Sequence, residues 1–411
     1  MKTRALLCIL ALLLLILATS CESINISEIC THENTIQTQT IISASGRASF
    51  VIHSDGSLWA WGGNSWGQLG DGTTENRHEP VKIMGDVVSV SANGASTMAI
   101  TSDGGLWAWG GSQIDKSTHV PTKIMDDVVS VSSSGAMAIT SNGDLWRISI
   151  TDPLDSEKIM ENVAYASAGL HHAVAVKTDG SLWTWGTTTW TNSNSFGQLG
   201  DGTAIDRQYP VKIMEDVIAV SAGMNHSMAV RSDGSLWAWG QNSLGELGDG
   251  TVMDRHSPVK IKDDVVSVSV GESHTMAIRS DGSLWAWGDN WHGQLGDGTS
   301  ANSGTLISII DANTNPRPLV RVPYRIGTLR DQSDHGTIVD RLAPIKIMED
   351  VVAVSASGFL LSLGEGAAHT LAVRTDGTLW AWGSNSSGQL GDGTTESRLY
   401  PIMIHDGILT P

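Results

Sequence analysis

The sequence predicts an all-β fold, a seven-bladed β-propeller closed by pairing of its N- and C-terminal segments. Three observations carry this. The stretch SDGSLWAWG occurs at 232–240, again letter for letter at 280–288, and in near-copies five more times. The composition, with 45 Gly and 16 Trp but only 17% charged residues, suits turns and sheets; Gly inside a helix costs about 1 kcal/mol relative to Ala. Finally, Asp-Gly or Asn-Gly separates two apolar runs in every copy, the strongest short-range hairpin signal, with both central residues expected at positive φ. Seven hairpins repeating about every 48 residues make a radial array of small sheets rather than several separate domains.

Taken in order, residues 1–20 read as a lipoprotein-type signal peptide. Lys2 and Arg4 precede an apolar run from Ala5 to Ala18, and LATSC ends on Cys21. A basic start, a short apolar core and a small-residue site are the marks of an export signal. The ending resembles a bacterial lipobox, which implies cleavage before Cys21 and lipid on its sulfur. A disulfide from Cys21 to Cys30 is the competing reading. Residues 21–40 are polar and form a tether. The protein is therefore expected in the cell envelope, membrane-anchored through lipid only, or secreted.

The repeats fill residues 41–405, with a tail at 406–411. The unit is clearest from residue 263: DDVVSVSVGESHTMAIRSDGSLWAWGDNWHGQLGDGT, closed elsewhere by a PVKI-like stretch such as Pro258–Ile261. Val265–Val270, His274–Arg279 and Leu284–Gly288 are its first three strands. In Leu236-Trp237-Ala238-Trp239 successive side chains alternate faces, so one face is all indole and the other small. Each indole face is expected to fill the space over its neighbour's small face; thirteen of the sixteen Trp belong to this set. The first unit lacks a preceding PVKI-like strand, and Pro401–Ile404 supplies one after the last unit, hence the expected closure by the two termini.

The strand Gly-x-x-His-Thr/Ser-Met/Leu-Ala, the Asp-Gly turn, WAWG and N-x-x-GQLGDGT together resemble the repeat of the regulator of chromosome condensation family (RCC1-like), which is a seven-bladed propeller. The resemblance implies that fold, and its founding member implies guanine-nucleotide exchange on chromatin. The formal charge of −18 argues against nucleic acid, because an acidic surface repels phosphates.

No catalytic constellation stands apart from the repeat, and no cofactor or metal is expected. His172, His226, His274 and His369 recur at one position and read as hydrogen-bonding the backbone between blades. The GDGT carboxylates read as turn residues, paired with the Arg of a recurring Arg-x-x-Pro. Function is sought where the repeat breaks. Trp66, Phe196, Trp291 and His292 vary just before GQLG or beside it, with Trp190 nearby, and aromatics dominate binding hot spots. The sixth unit carries an insertion at about 302–338 whose segment 316–330 holds Arg317, Arg321, Tyr324, Arg325 and Arg330 and no acid. A smaller insertion near Ser357–Leu363 is read as altering the same blade. The third unit has lost GQLGDGT. These features point to a monomeric, non-enzymatic module that binds a protein or glycan outside the cytoplasm. An extracytoplasmic hydrolase or lyase and an exchange-factor-like regulator are the alternatives.

Overall fold

The computed structural model describes residues 41–111, 116–148, 155–186, 194–300, 341–357 and 367–406. By contact the chain divides into Met1–Thr38 and Gln39–Pro411, and all described residues belong to the second unit. They form seven four-stranded antiparallel sheets, each built from four consecutive strands. In the sixth blade these are Val265–Val270, His274–Arg279, Leu284–Gly288 and Arg341–Met348. The β-branched first strand is innermost: Ile42–Ser45 contacts both Val87–Asn93 and Val351–Ala356, which completes the ring. The fourth strand is outermost and in four blades contains a Pro, which an edge strand tolerates.

The indole prediction holds, with a division of labour. The second Trp is sealed in five of the six pairs, with Trp61, Trp109, Trp239, Trp287 and Trp382 at most 1% exposed, and buried in the sixth, at Trp185. Each of the five donates its Nε1–H to a carbonyl of the preceding blade, as Trp287 does to Glu246 at 2.9 Å and Trp61 to Gln389 at 3.0 Å. The first Trp stays within its own hairpin, as when Trp285 donates to Ser283 Oγ. Gly248 shows why GQLG must end in Gly. A Cβ there would lie 2.7 Å from Trp287 Nε1, and its φ is +75°.

The inner strands are stitched by a recurring serine, fifth in the strands that start at Val87, Val163, Val217, Val265 and Val351 and second in Ile42–Ser45. Ser221 Oγ accepts from Val270 N at 3.0 Å, and Ser43, Ser91, Ser167, Ser269 and Ser355 do likewise toward the next blade.

Three expectations change. Among the described residues, closure does not use strand pairing between the termini: the last sheet is Val351–Ala356, His369–Arg374, Thr378–Gly383 and Arg398–Asp406, and none of its strands is N-terminal. The first and last blades instead pack face to face like any other pair. Ile42, Val51 and Trp61 meet Leu371, Leu379 and Leu390, and Ala44 N donates to Ser355 Oγ. A first unit that starts at its inner strand, and a last unit that ends at its outer one, are each already complete. Along this seam lies a groove of about 540 Å³, where His53 stands edge-on to His405 at 5.2 Å.

The Asp-Gly turns have one residue at positive φ, not two. Gly282 is at +78° and Asp281 is not among the positive-φ residues. Arg279 N donates to Ser283 O and Gly282 N to Arg279 O, so the loop is Ser280-Asp281-Gly282. That is a type I turn followed by a left-handed Gly. Asp281 Oδ1, accepting from Ser283 N at 2.9 Å, holds this form.

The smaller insertion does not alter the sixth blade. It follows Ser357, between the inner and second strands of the seventh. In the third blade the sheet survives with a three-residue third strand, Leu145–Arg147, and Ile148, 4% exposed, stands where the second indole would be.

Candidate functional site

Strand order fixes two ends. Asp-Gly turns and the outer-to-inner turns share one. At the other, His274 pairs with Gly288 and Gly288 with Arg341, so the inner-to-second turns and the third-to-outer GQLGDGT connections lie together. The insertion of residues 302–338 runs between Ser300 and Arg341, both at this second end. The smaller insertion starts from Ser357 at the same end, and the replaced loop of the third blade joins Ile148 to Glu157 there.

Each GQLGDGT connection is a self-contained knot. Asn242, fully buried, accepts from Leu247 N at 3.0 Å and donates to Asp249 Oδ1 at 3.0 Å and Thr251 O at 3.1 Å. Asn64, Asn194, Asn290 and Asn385 repeat this. Asp249 Oδ2 then takes Arg255 at 2.6 Å, and the pairs Asp71–Arg77, Asp201–Arg207 and Asp392–Arg398 match it. Burial would raise the Asp249 carboxyl, but hydrogen bonds from Thr251 and Arg255 outweigh it and hold the group below its ordinary range. The turn reading of GDGT and its Arg partner therefore stands. The Asn of the N-x-x-GQLGDGT motif, five residues before each leucine, is the hub, a role its place in the motif does not reveal.

The four histidines bridge blades through hydroxyls, and His369 also bonds the backbone of Gly46 in the adjoining blade, as expected of the set. His369 Nε2 bonds Ser49 Oγ at 2.8 Å, and Ser49 donates on to Gln389 O at 2.6 Å. His172–Ser227, His226–Thr275 and His274–Thr370 form the same relay. Burial pushes all four imidazoles down to about 3, so they are neutral. His369 Nδ1 also bonds Ser357 Oγ at 2.7 Å, beside the central mouth. An imidazole titrating near 3 is a poor general base at neutral pH. Among the described residues no group of three or more His, Cys, Asp or Glu is placed to hold a metal ion.

Of the predicted partner-binding residues, Trp66, Phe196, Trp291 and His292 all lie on the GQLGDGT end. Trp66, Phe196 and His292 are partly buried, their backbone N–H groups held by the amide oxygens of Gln68, Gln198 and Gln294. Trp291 projects, 44% exposed. Cys21, Trp190, Arg317, Arg321, Tyr324, Arg325 and Arg330 lie outside the described residues. The structure adds Ile205, Tyr209, Val252, Met253 and Tyr400, all more than half exposed. They sit between GDGT and the outer strand's Pro, or one residue before that Pro. Among the described residues, six of the eleven exposed large apolar residues lie on these connections, counting Val120 and Trp291, and Tyr400 lies just inside the outer strand that follows one. Their signal was an apolar side chain in an otherwise polar loop.

The regulator of chromosome condensation (RCC1) repeat profile matches residues 55–100, 179–230, 233–278, 281–333 and 376–406, together more than half of the chain. Among curated proteins, the ultraviolet-B receptor UVR8 of Arabidopsis thaliana is 35% identical over 83 residues, 19% of this chain and 18% of that protein. The human E3 ubiquitin-protein ligase HERC2 is 24% identical over 216 residues, 47% of this chain and 4% of that protein. The matches thus span under a fifth of these relatives' own length. Among solved structures, the crystal structure of Kap60 bound to yeast RCC1 (Prp20) superposes with a TM-score of 0.65 at 18% identity, covering 94% of this chain and 90% of that one. Such a likeness speaks for the fold, and the repeat matches for the lineage: the chain belongs to the regulator of chromosome condensation (RCC1) repeat family.

Proposed function

We propose that this protein is a non-enzymatic binding module, exported and lipid-anchored at Cys21, that holds a partner protein on its GQLGDGT end. The observation that carries the reading is the gathering of exposed apolar side chains and repeat-breaking connections at that end. The framework beneath is stiff, with interlocked indoles, sealed histidines and Asn-centred loops, and a rigid scaffold carrying variable loops suits recognition. Propellers of this family are generally regulatory or binding proteins, and the yeast propeller was crystallised bound to a protein, Kap60.

The test is an affinity pull-down from envelope and secreted proteins, with the intact protein and with a variant lacking residues 302–338. The reading expects a saturable protein partner, reduced or lost with the deletion. Failure of both forms to retain any partner above a denatured control would contradict it.

A further inference from the structure

We infer that mild acid opens the ring at one place, the seam between blades seven and one, through protonation of His53 and His405. The other six seams are crossed by the chain, which passes from each outer strand to the next inner strand through a two-residue turn such as Glu349-Asp350. Three of these turns are also tied down by ion pairs, Arg231–Asp216, Arg279–Asp264 and Arg374–Asp350. Blades seven and one are not consecutive in sequence, so no such turn links Arg398–Asp406 to Ile42–Ser45. The described contacts across this seam are side-chain packing and hydrogen bonds.

The repeat's own residues also change here. His53 stands two residues before Asp-Gly, where Arg231, Arg279 and Arg374 stand in their blades. His405 pairs with Leu379 as Met348 pairs with Leu284. The two imidazoles come from opposite sides of the seam and meet edge-on at 5.2 Å, with His53 tilted against Trp59 at 5.7 Å. His53 is partly buried and His405 exposed, and both line the groove, so protons reach them. Neutral rings pack favourably in this arrangement, whereas two imidazolium ions at such a distance repel. Burial holds His53 below its ordinary range, His405 and Lys82 add to this, and Asp55 opposes it. Asp55, Lys82 and Asp406 belong to the same blade as the histidine they adjoin and stay beside it when the seam parts. Burial and the facing ring do not. Elsewhere in the groove Asp392 is committed to Arg398, and Glu79 stands over Gly393 at the far end. Arg374 and Asp376, beside the strand of His405, pair with each other. Closure is therefore favoured above about pH 6.5, the free imidazole's range, and weakens as pH falls below it.

Hydrogen exchange by NMR, corrected for intrinsic rates, tests this between pH 7.5 and pH 5. The reporters are three donors that cross the seam: Ala44 N to Ser355 Oγ, Gly393 N to His78 O and Trp61 Nε1 to Gln389 O. Ala222 N, Gly202 N and Trp239 Nε1 make the matching bonds between blades four and five and serve as the reference. Each seam contains one buried histidine relay, His369–Ser49 or His172–Ser227, so that feature is common to both sets. On acidification the seam set should lose about tenfold more protection than the reference set, the size of a one-unit shift. His405→Met, which installs the repeat's usual residue, and His53→Gln should each bring the two sets to within about threefold of one another. An equal response of both sets in the wild type, or an excess that survives in either variant, would overturn the inference.

Discussion

Replacing Glu246 by Gln is expected to stabilise the protein increasingly as pH rises from about 4.5 to about 8. Four sister loops carry Gln here: Gln68 accepts from Trp66 N through Oε1 and donates through Nε2 to Gly94 O in the next blade. Glu246, 1% exposed, copies the first bond by accepting from Leu244 N at 2.7 Å. Ionised, it has no proton for the second. Burial, aided by the charges of Asp289 and Asp254 and opposed by backbone hydrogen bonds, pushes its carboxyl up to about 7. Because the folded-state value lies above the unfolded one, no penalty exists below about 4.5, where both states are protonated. The cost grows as pH rises toward 7 and is constant above it. A shift of this size corresponds to about 3 kcal/mol. Melting curves of the two proteins should coincide near pH 4.5 and separate to a plateau above pH 7.5. A separation that does not change with pH would show that Glu246 is not a buried acid.

The second large effect is at the blade interface. Trp287→Ala should cost about 3–5 kcal/mol, the usual range for truncating a sealed aromatic. It empties the wedge against Gly248 and leaves Glu246 O without its indole donor. Trp285→Ala, two residues away on the same strand, should cost roughly half as much or less, because that indole is only partly buried and bonds within its own hairpin. Chemical denaturation measures both. Equal losses would mean that hydrophobicity alone, and not the interlock between blades, holds the ring.

The repeat made most of the architecture readable. Seven copies average out local ambiguity, and the three strands expected at Val265–Val270, His274–Arg279 and Leu284–Gly288 have those same bounds in the structure. What escaped was whatever depends on a partner outside the unit. Ser221 looks like an ordinary strand residue until Val270 of the next blade donates to it. His226 looks like a backbone partner until Thr275 intervenes. The Asp-Gly dipeptide fits two hairpin types, and the choice rests on the Asp side chain capping Ser283. Ring closure was misjudged because matching terminal sequences say nothing about whether each end already completes its own sheet. The binding face was half readable. Its aromatic loop positions show in the sequence, but exposure separates the projecting Trp291 from the partly buried Trp66 and Phe196.

The central claim is that partners bind at the GQLGDGT end. A photo-crosslinking residue placed singly at Tyr209, Met253 or Tyr400, and for comparison at Ser232 or Ser280 in the Asp-Gly turns, measures it most directly. The account predicts covalent capture of the partner from the first three positions and none from the last two. Capture from the Asp-Gly turns, with none from the GQLGDGT end, would contradict it.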